Sequence, residues 1–188
     1  MDYPPHVYDL SLHTIGLILA AVLLVTHVVA LVRPEETKQW LRKFPRSKLF
    51  GSCLLAIDAI WSFWLVTYMD LREFYYFRTA LQFGVPIFFV LTFLFVDEFL
   101  SVRALGIMAL LAAEPILSSA FLRPELARLF VVVLAYVWLT LGLFWVGMPY
   151  ILRDQITWIT KSTSRFRTAT IAGLLYGVTI LACTVTVY

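Results

Sequence analysis

The sequence predicts an all-α fold, a polytopic transmembrane helical bundle of about six spans, and three observations predict it. Of 188 residues, 61% are hydrophobic and only 14% are charged, where a soluble domain runs to about 45–50% and about 25%. Six apolar stretches, 11–32, 49–69, 79–96, 104–122, 129–150 and 171–188, approach the about 20 residues a helix needs to cross hydrocarbon. Little chain is left over for an extramembrane domain, so residues 1–188 read as a single integral membrane domain. Helices suit that setting because backbone in lipid must satisfy its own hydrogen bonds. A mean hydropathy of +0.86 excludes a disordered regulator, which needs low hydrophobicity and high net charge. The composition equally excludes a soluble enzyme and a nucleic-acid binder.

Ahead of the first run stand Asp2 and Asp9, with no Lys or Arg. A secretory signal wants a basic leading segment and a small-residue cleavage site, so stretch 11–32 is expected to stay as span one. It carries His13 and His27 on nearly one face, about 21 Å apart along the axis. Haem on these two would need a homodimer pairing two first spans, or non-His ligands, since the remaining histidine, His6, precedes the span. No cofactor is expected, and a hydrogen-bonded packing role is the plainer reading. His27 does reach the level of Asp58, which leaves a contact between them open.

After span one, Pro34 suits a first helical turn, and Glu35 and Glu36 favour a helix N-terminus. Trp40, Leu41 and Phe44 share a face there, with Lys38, Arg42 and Lys43 around them, and Pro45 stops the helix. Following span five, Ile151, Ile156 and Ile159 with Trp158 repeat the pattern less cleanly. Such basic amphipathic pieces dock on anionic headgroups, which makes 34–48 and 151–167 expected contacts with the bilayer surface. A merely solubilising loop explains the same residues without lipid specificity.

Asp58 stands nine residues into span two, about 14 Å deep, and Glu114 ten residues into span four, about 15 Å deep. Both are expected near the midplane, each at an insertion cost of about 2.5–3.5 kcal/mol if charged. With no Lys or Arg inside the expected spans, three fates remain for them: protonation, bonding to each other, or a bound cation. Pro115 removes a backbone donor and releases the carbonyl of Leu111, and Pro86 in span three does the same for Gln82. Trp61, one turn from Asp58, has a ring able to face a cation. The candidate proton- or cation-binding residues are therefore Asp58 and Glu114, supported by Pro115, His27, Trp61 and Gln82. A purely structural reading has the acids protonated and bonded across helices, fixing the register of the bundle.

Two echoes suggest a 3+3 inverted repeat. Leu31-Val32-Arg33-Pro34-Glu35 matches Phe121-Leu122-Arg123-Pro124-Glu125 at an offset of 90, which also aligns Gly16 with Gly106. Phe83-Gly84-Val85-Pro86-Ile87 resembles Tyr176-Gly177-Val178-Thr179-Ile180 at an offset of 93. Inverted halves are a common transporter design. Short matches also arise readily between apolar runs, and spans two and five align poorly.

Eleven of the fifteen basic residues fall on one side of this threading, while Arg72, Arg78, Arg123 and Arg128 fall on the other. The positive-inside rule then puts both termini outside and the loops 33–48 and 151–170 in the cytoplasm of a plasma (inner) membrane. The weak point is the 97–103 turn, where Asp97 and Glu98 outnumber Arg103. No phosphate-binding loop, zinc helix or nucleophile elbow occurs in the sequence. For an enzyme the nearest candidate group is Asp70, Arg72, Glu73 and Arg78, which reads as well as a solvated loop. The expected function is a small carrier or channel for a proton, cation or small amine using the midplane carboxyls. The alternative is a non-catalytic subunit or scaffold of a larger membrane complex, and a homo-oligomer fits either.

Overall fold

The computed structural model describes Tyr8 and residues 10–96 and 98–188; Asp2, His6, Asp9 and Asp97 lie outside the described residues, as does the side chain of Arg72. Among the described residues the chain forms helices α1 (Leu12–Val32), α2 (Pro34–Lys43), α3 (Lys48–Tyr68), α4 (Arg78–Phe95), α5 (Leu100–Ala120), α6 (Arg128–Gly147), α7 (Tyr150–Thr160) and α8 (Thr163–Thr186). Short 3-10 turns at Phe44–Arg46 and Arg72–Phe77 lead into α3 and α4. All the helices but α2 and α7 are long and apolar enough to cross a membrane. Val25, Val32, Leu143 and Leu175 face outward on them, an apolar exterior that lipid tolerates and water does not.

Local chemistry sets several of the ends. Ser11 caps α1 by accepting from the Thr14 N–H at 3.1 Å, and Ser47 caps α3 by accepting from Phe50 at 3.3 Å. Pro34 opens α2 with Glu35 and Glu36 in the first turn and Arg42 and Lys43 in the last, an arrangement that complements the helix dipole. Three expected boundaries move. Span four begins at Leu100 instead of 104, span five closes at Gly147 before Pro149, and α8 begins at Thr163, eight residues before its apolar run.

The first residue of α1 and the last of α8 define a terminal end, and α2 and α7 mark the opposite, basic end. Between them α5 is the axis of the bundle: half of its apolar window is buried, against 6% for the span that contains α4. It packs on α6 along one side and on α3 along another, while α1 lies against α8 and α4 rests on α3. Leu12, Ile15 and Leu19 of α1 meet Ile116 of α5, Val131 and Ala135 of α6, and Ile180 of α8 in one core. Tyr176 and Tyr188 fasten α8 to the start of α6 by donating to the carbonyls of Phe130 and Ala127 at 2.7 and 2.6 Å.

Glycines set the close approaches. A Cβ on Gly51 of α3 would stand 2.8 Å from the backbone nitrogen of Ser101, and one on Gly16 would collide with Thr184 of α8. Gly106 instead meets Gly142 of α6. The glycines aligned in the two expected repeats thus serve different pairings, span one with span six and span four with span five. A repeat-symmetric bundle would pair span four with span three, so the closest helix pairings do not follow the repeat.

Arginines cap the carboxyl ends of four helices, each donated from elsewhere in the fold. Arg78 bonds the carbonyls of Thr67 and Met69 at the end of α3, and Arg128 that of Ala120 at the end of α5. Arg103 bonds Val146 near the end of α6, and Arg42 bonds both the hydroxyl and the carbonyl of Thr160 at the end of α7. The last carbonyls of a helix lack partners and carry its negative pole, so a guanidinium there makes a charge-assisted bond. Arg103, expected in a loop, lies in the first turn of α5 because that helix starts early.

The two amphipathic segments are helices, and they clasp each other. Lys38 is buried, bonded to Glu35 at 2.8 Å and Thr163 at 3.5 Å, with its ammonium 5.3 Å from the centre of the Phe166 ring. The inward face of α7 is Leu152, Ile156 and Thr160, spaced by four, whereas Trp158 points outward and Ile151 is half-buried. On α2 the expected shared face divides, with Phe44 buried, Leu41 half-buried and Trp40 exposed over Phe44 and Phe50.

Candidate functional site

The buried stripe of α3 is Gly51, Leu55 and Asp58, at the four- and three-residue spacing that keeps one helix face inward. Gly51 lets this stripe press on the start of α5, and Leu55 packs with Phe89 of α4 and with Leu100 and Ala104 of α5. Asp58 follows one turn further on. It is 0% exposed, and neither carboxylate oxygen has a hydrogen-bond partner. Ten residues separate it from each end of α3, so it sits about 15 Å from either end.

Glu114 is neither level with Asp58 nor buried like it. Because α5 starts at Leu100, Glu114 lies six residues from its end at Ala120, about 9 Å from the terminal end, and it is exposed. The expectation of two carboxyls at matched depth came from placing the start of span four at 104. Pro115, its neighbour, is buried within α5.

Tyr8 packs beside Trp61, one turn from Asp58, and lies near Glu114. Its hydroxyl accepts from the indole N–H of Trp61, and its ring lies 6.5 Å from that of Trp61 and 5.3 Å from that of Trp64. Burial pushes the Tyr8 phenol above its usual range, the Trp61 bond opposes this, and the nearby Glu114 charge adds to it. Beyond this phenol, toward the terminal end, a cavity of about 260 Å³ is lined by Tyr8, Ser118, Leu122 and Arg123 among others. Leu122 holds a left-handed φ of 54° there. Tyr8 thus borders this cavity and bonds Trp61, which stands one turn from the buried Asp58 carboxyl on α3.

No known protein family, curated protein or solved structure matches the chain.

The remaining predicted residues lie apart from Asp58 and Tyr8. His27 donates from Nδ1 to the Leu23 carbonyl at 2.7 Å, since a carbonyl only accepts, and its Nε2 edge is pressed on Gly173 of α8. It faces α8 instead of Asp58. His13 is exposed on the same helix. Gln82 is half-buried near the start of α4, and Pro86 is exposed. Among the described residues no three His, Cys, Asp or Glu side chains gather to hold a metal. Sequence reasoning missed Tyr8, which precedes any periodic element, and the capping arginines. For Arg78 and Arg128 the signal was there: each is the first residue of a helix that follows a short connection.

Proposed function

We propose that the chain is a small membrane carrier or channel for a proton, cation or small amine, with Asp58 as the group that takes the charge. The observation that carries this reading is the Asp58 carboxyl, fully buried at mid-span with both oxygens unpartnered. A carboxyl that only fixed helix register would be bonded to a neighbouring helix, as buried polar groups are. Ionisable groups at such depth mark ion or proton pathways. Glu114 serves as the outer relay, near Tyr8, which bonds Trp61 one turn from Asp58. Pro115 adjoins Glu114 on α5, Gln82 lies on the neighbouring α4, and His27, turned to α8, takes no part in this reading.

The test is flux in proteoliposomes. Asp58→Asn should abolish transport of the proton or cation, and Glu114→Gln should slow it. Unchanged flux in both single variants and in the double variant would overturn the assignment.

One observation favours a second reading, a subunit of a larger membrane complex: α4 buries fully only Phe89, with Val85 packed partly beside it, and leaves Phe83, Ile87, Phe88 and Leu94 outward. Extraction of the native protein in mild detergent separates the two readings. One to four copies of the 21.6 kDa chain support the carrier, and a larger assembly of fixed stoichiometry supports the subunit.

A further inference from the structure

A second cavity lies at the basic end, remote from Asp58. It is an open groove of about 1070 Å³ between α1, α2, α7 and α8, slightly larger than the about 300–1,000 Å³ usual for small-molecule sites. Its walls are Val25, Val29 and Ala30 of α1 facing Ile159, Phe166 and Ala169.

The polar side chains in those walls are turned away from a ligand. Thr26, Thr37 and Thr170 each donate to a carbonyl four residues back on their own chain, at 2.7, 2.9 and 2.8 Å. His27 commits Nδ1 to Leu23. The interior therefore presents hydrocarbon to whatever fills it. Charge enters only at the mouth, where Arg33 and Glu36 face each other at 3.2 Å, both largely exposed, with Trp40 beside them. An exposed pair three residues apart is held weakly, so a ligand carrying both signs of charge exchanges with it readily. Tryptophan is the residue enriched at the headgroup level of membranes.

We propose that this groove binds one membrane phospholipid with a zwitterionic, ammonium-bearing headgroup: phosphate on Arg33, ammonium on Glu36, and an acyl chain along α1 and α8. The adjacent plus and minus charges select this headgroup over a purely anionic one, which would meet Glu36 as a like charge. The inference is independent of the Asp58 reading.

The test is native mass spectrometry of the full chain, equilibrated in mild detergent with equal phosphatidylethanolamine and phosphatidylglycerol. One phosphatidylethanolamine should be retained per chain in preference to phosphatidylglycerol. Arg33→Gln and Glu36→Gln, at exposed positions that leave the packing intact, should each lower retention about tenfold, or about 1.4 kcal/mol. Ala169→Trp, which fills the groove, should abolish it, while Leu91→Trp on the outward face of α4 should leave it unchanged. Preferential retention of phosphatidylglycerol would overturn the proposal, as would retention of neither lipid or equal loss in the α4 variant. Should Ala169→Trp fail to fold, the two exposed variants still decide.

Discussion

Gly106 and Gly142 meet back to back where α5 crosses α6: a methyl group on either would stand 2.9 Å from the carbonyl oxygen of the other. Without the hydrophobic effect between helices in lipid, close backbone approach of this kind supplies much of the packing. Gly106→Ala and Gly142→Ala should each cost about 1–3 kcal/mol, the range for overpacking. Because they crowd the same spot, the double variant should cost less than the sum. Denaturant titration in detergent micelles measures all three.

Asp58 sets stability against function. Replacing it by Val removes an unpartnered buried carboxyl, whose burial costs about 1–3 kcal/mol, and the variant should be more stable by a similar amount. Its flux should vanish. Thermal unfolding in micelles beside the liposome assay reads both; a less stable Asp58→Val would show that the carboxyl has a structural partner.

The capping arginines should matter far more than an uncapped one. Arg103→Gln and Arg128→Gln each remove a charge-assisted bond to a helix-terminal carbonyl, with an expected loss of about 1.5–3 kcal/mol. Arg123→Gln, on an exposed side chain, should stay within about 0.5 kcal/mol. The comparison requires only unfolding midpoints.

Leu122 holds φ at 54° while largely exposed. The left-handed region costs a non-glycine residue about 1–2 kcal/mol, and glycine gives back about 0.5–1 kcal/mol in chain entropy. Leu122→Gly should therefore stabilise by about 0.5–1 kcal/mol, whereas Leu122→Val should destabilise.

Gly173 and His27 form a lock that a methyl group opens. A Cβ on Gly173 would lie 2.0 Å from Nε2 of His27, so Gly173→Ala must rotate the imidazole off Leu23, at about 1 kcal/mol for the lost bond. His27→Ala in the same chain should relieve the clash and restore part of the loss. A double-mutant cycle on unfolding free energy isolates that term.

The number of spans and the candidate carboxyl Asp58 were legible because hydropathy is a bulk property and an acid in an apolar run stands out. Boundaries were less so. The first residues of α8, Thr163-Ser164-Arg165-Phe166-Arg167, are helical but polar, and hydropathy follows the bilayer where hydrogen bonding follows the helix. On α7 the apolar residues Ile151, Ile156, Ile159 and Trp158 suggest a face by composition, while the spacing of four picks Leu152, Ile156 and Thr160 as the buried one. Tyr8 was invisible because its role arises only when the chain folds back onto Trp61 and Trp64, a contact across 53 residues.

The arginine caps carry a consequence for the order in which the chain closes during synthesis. Arg78 and Arg128 reach back only 8 to 11 residues to the helix just completed, so the α3–α4 and α5–α6 hairpins can fasten as soon as their second helix begins. Arg42 must wait for Thr160, 118 residues later. Until the ribosome has delivered α7, α2 has no latch, and the terminal end shuts later still, when Tyr188 reaches the carbonyl of Ala127.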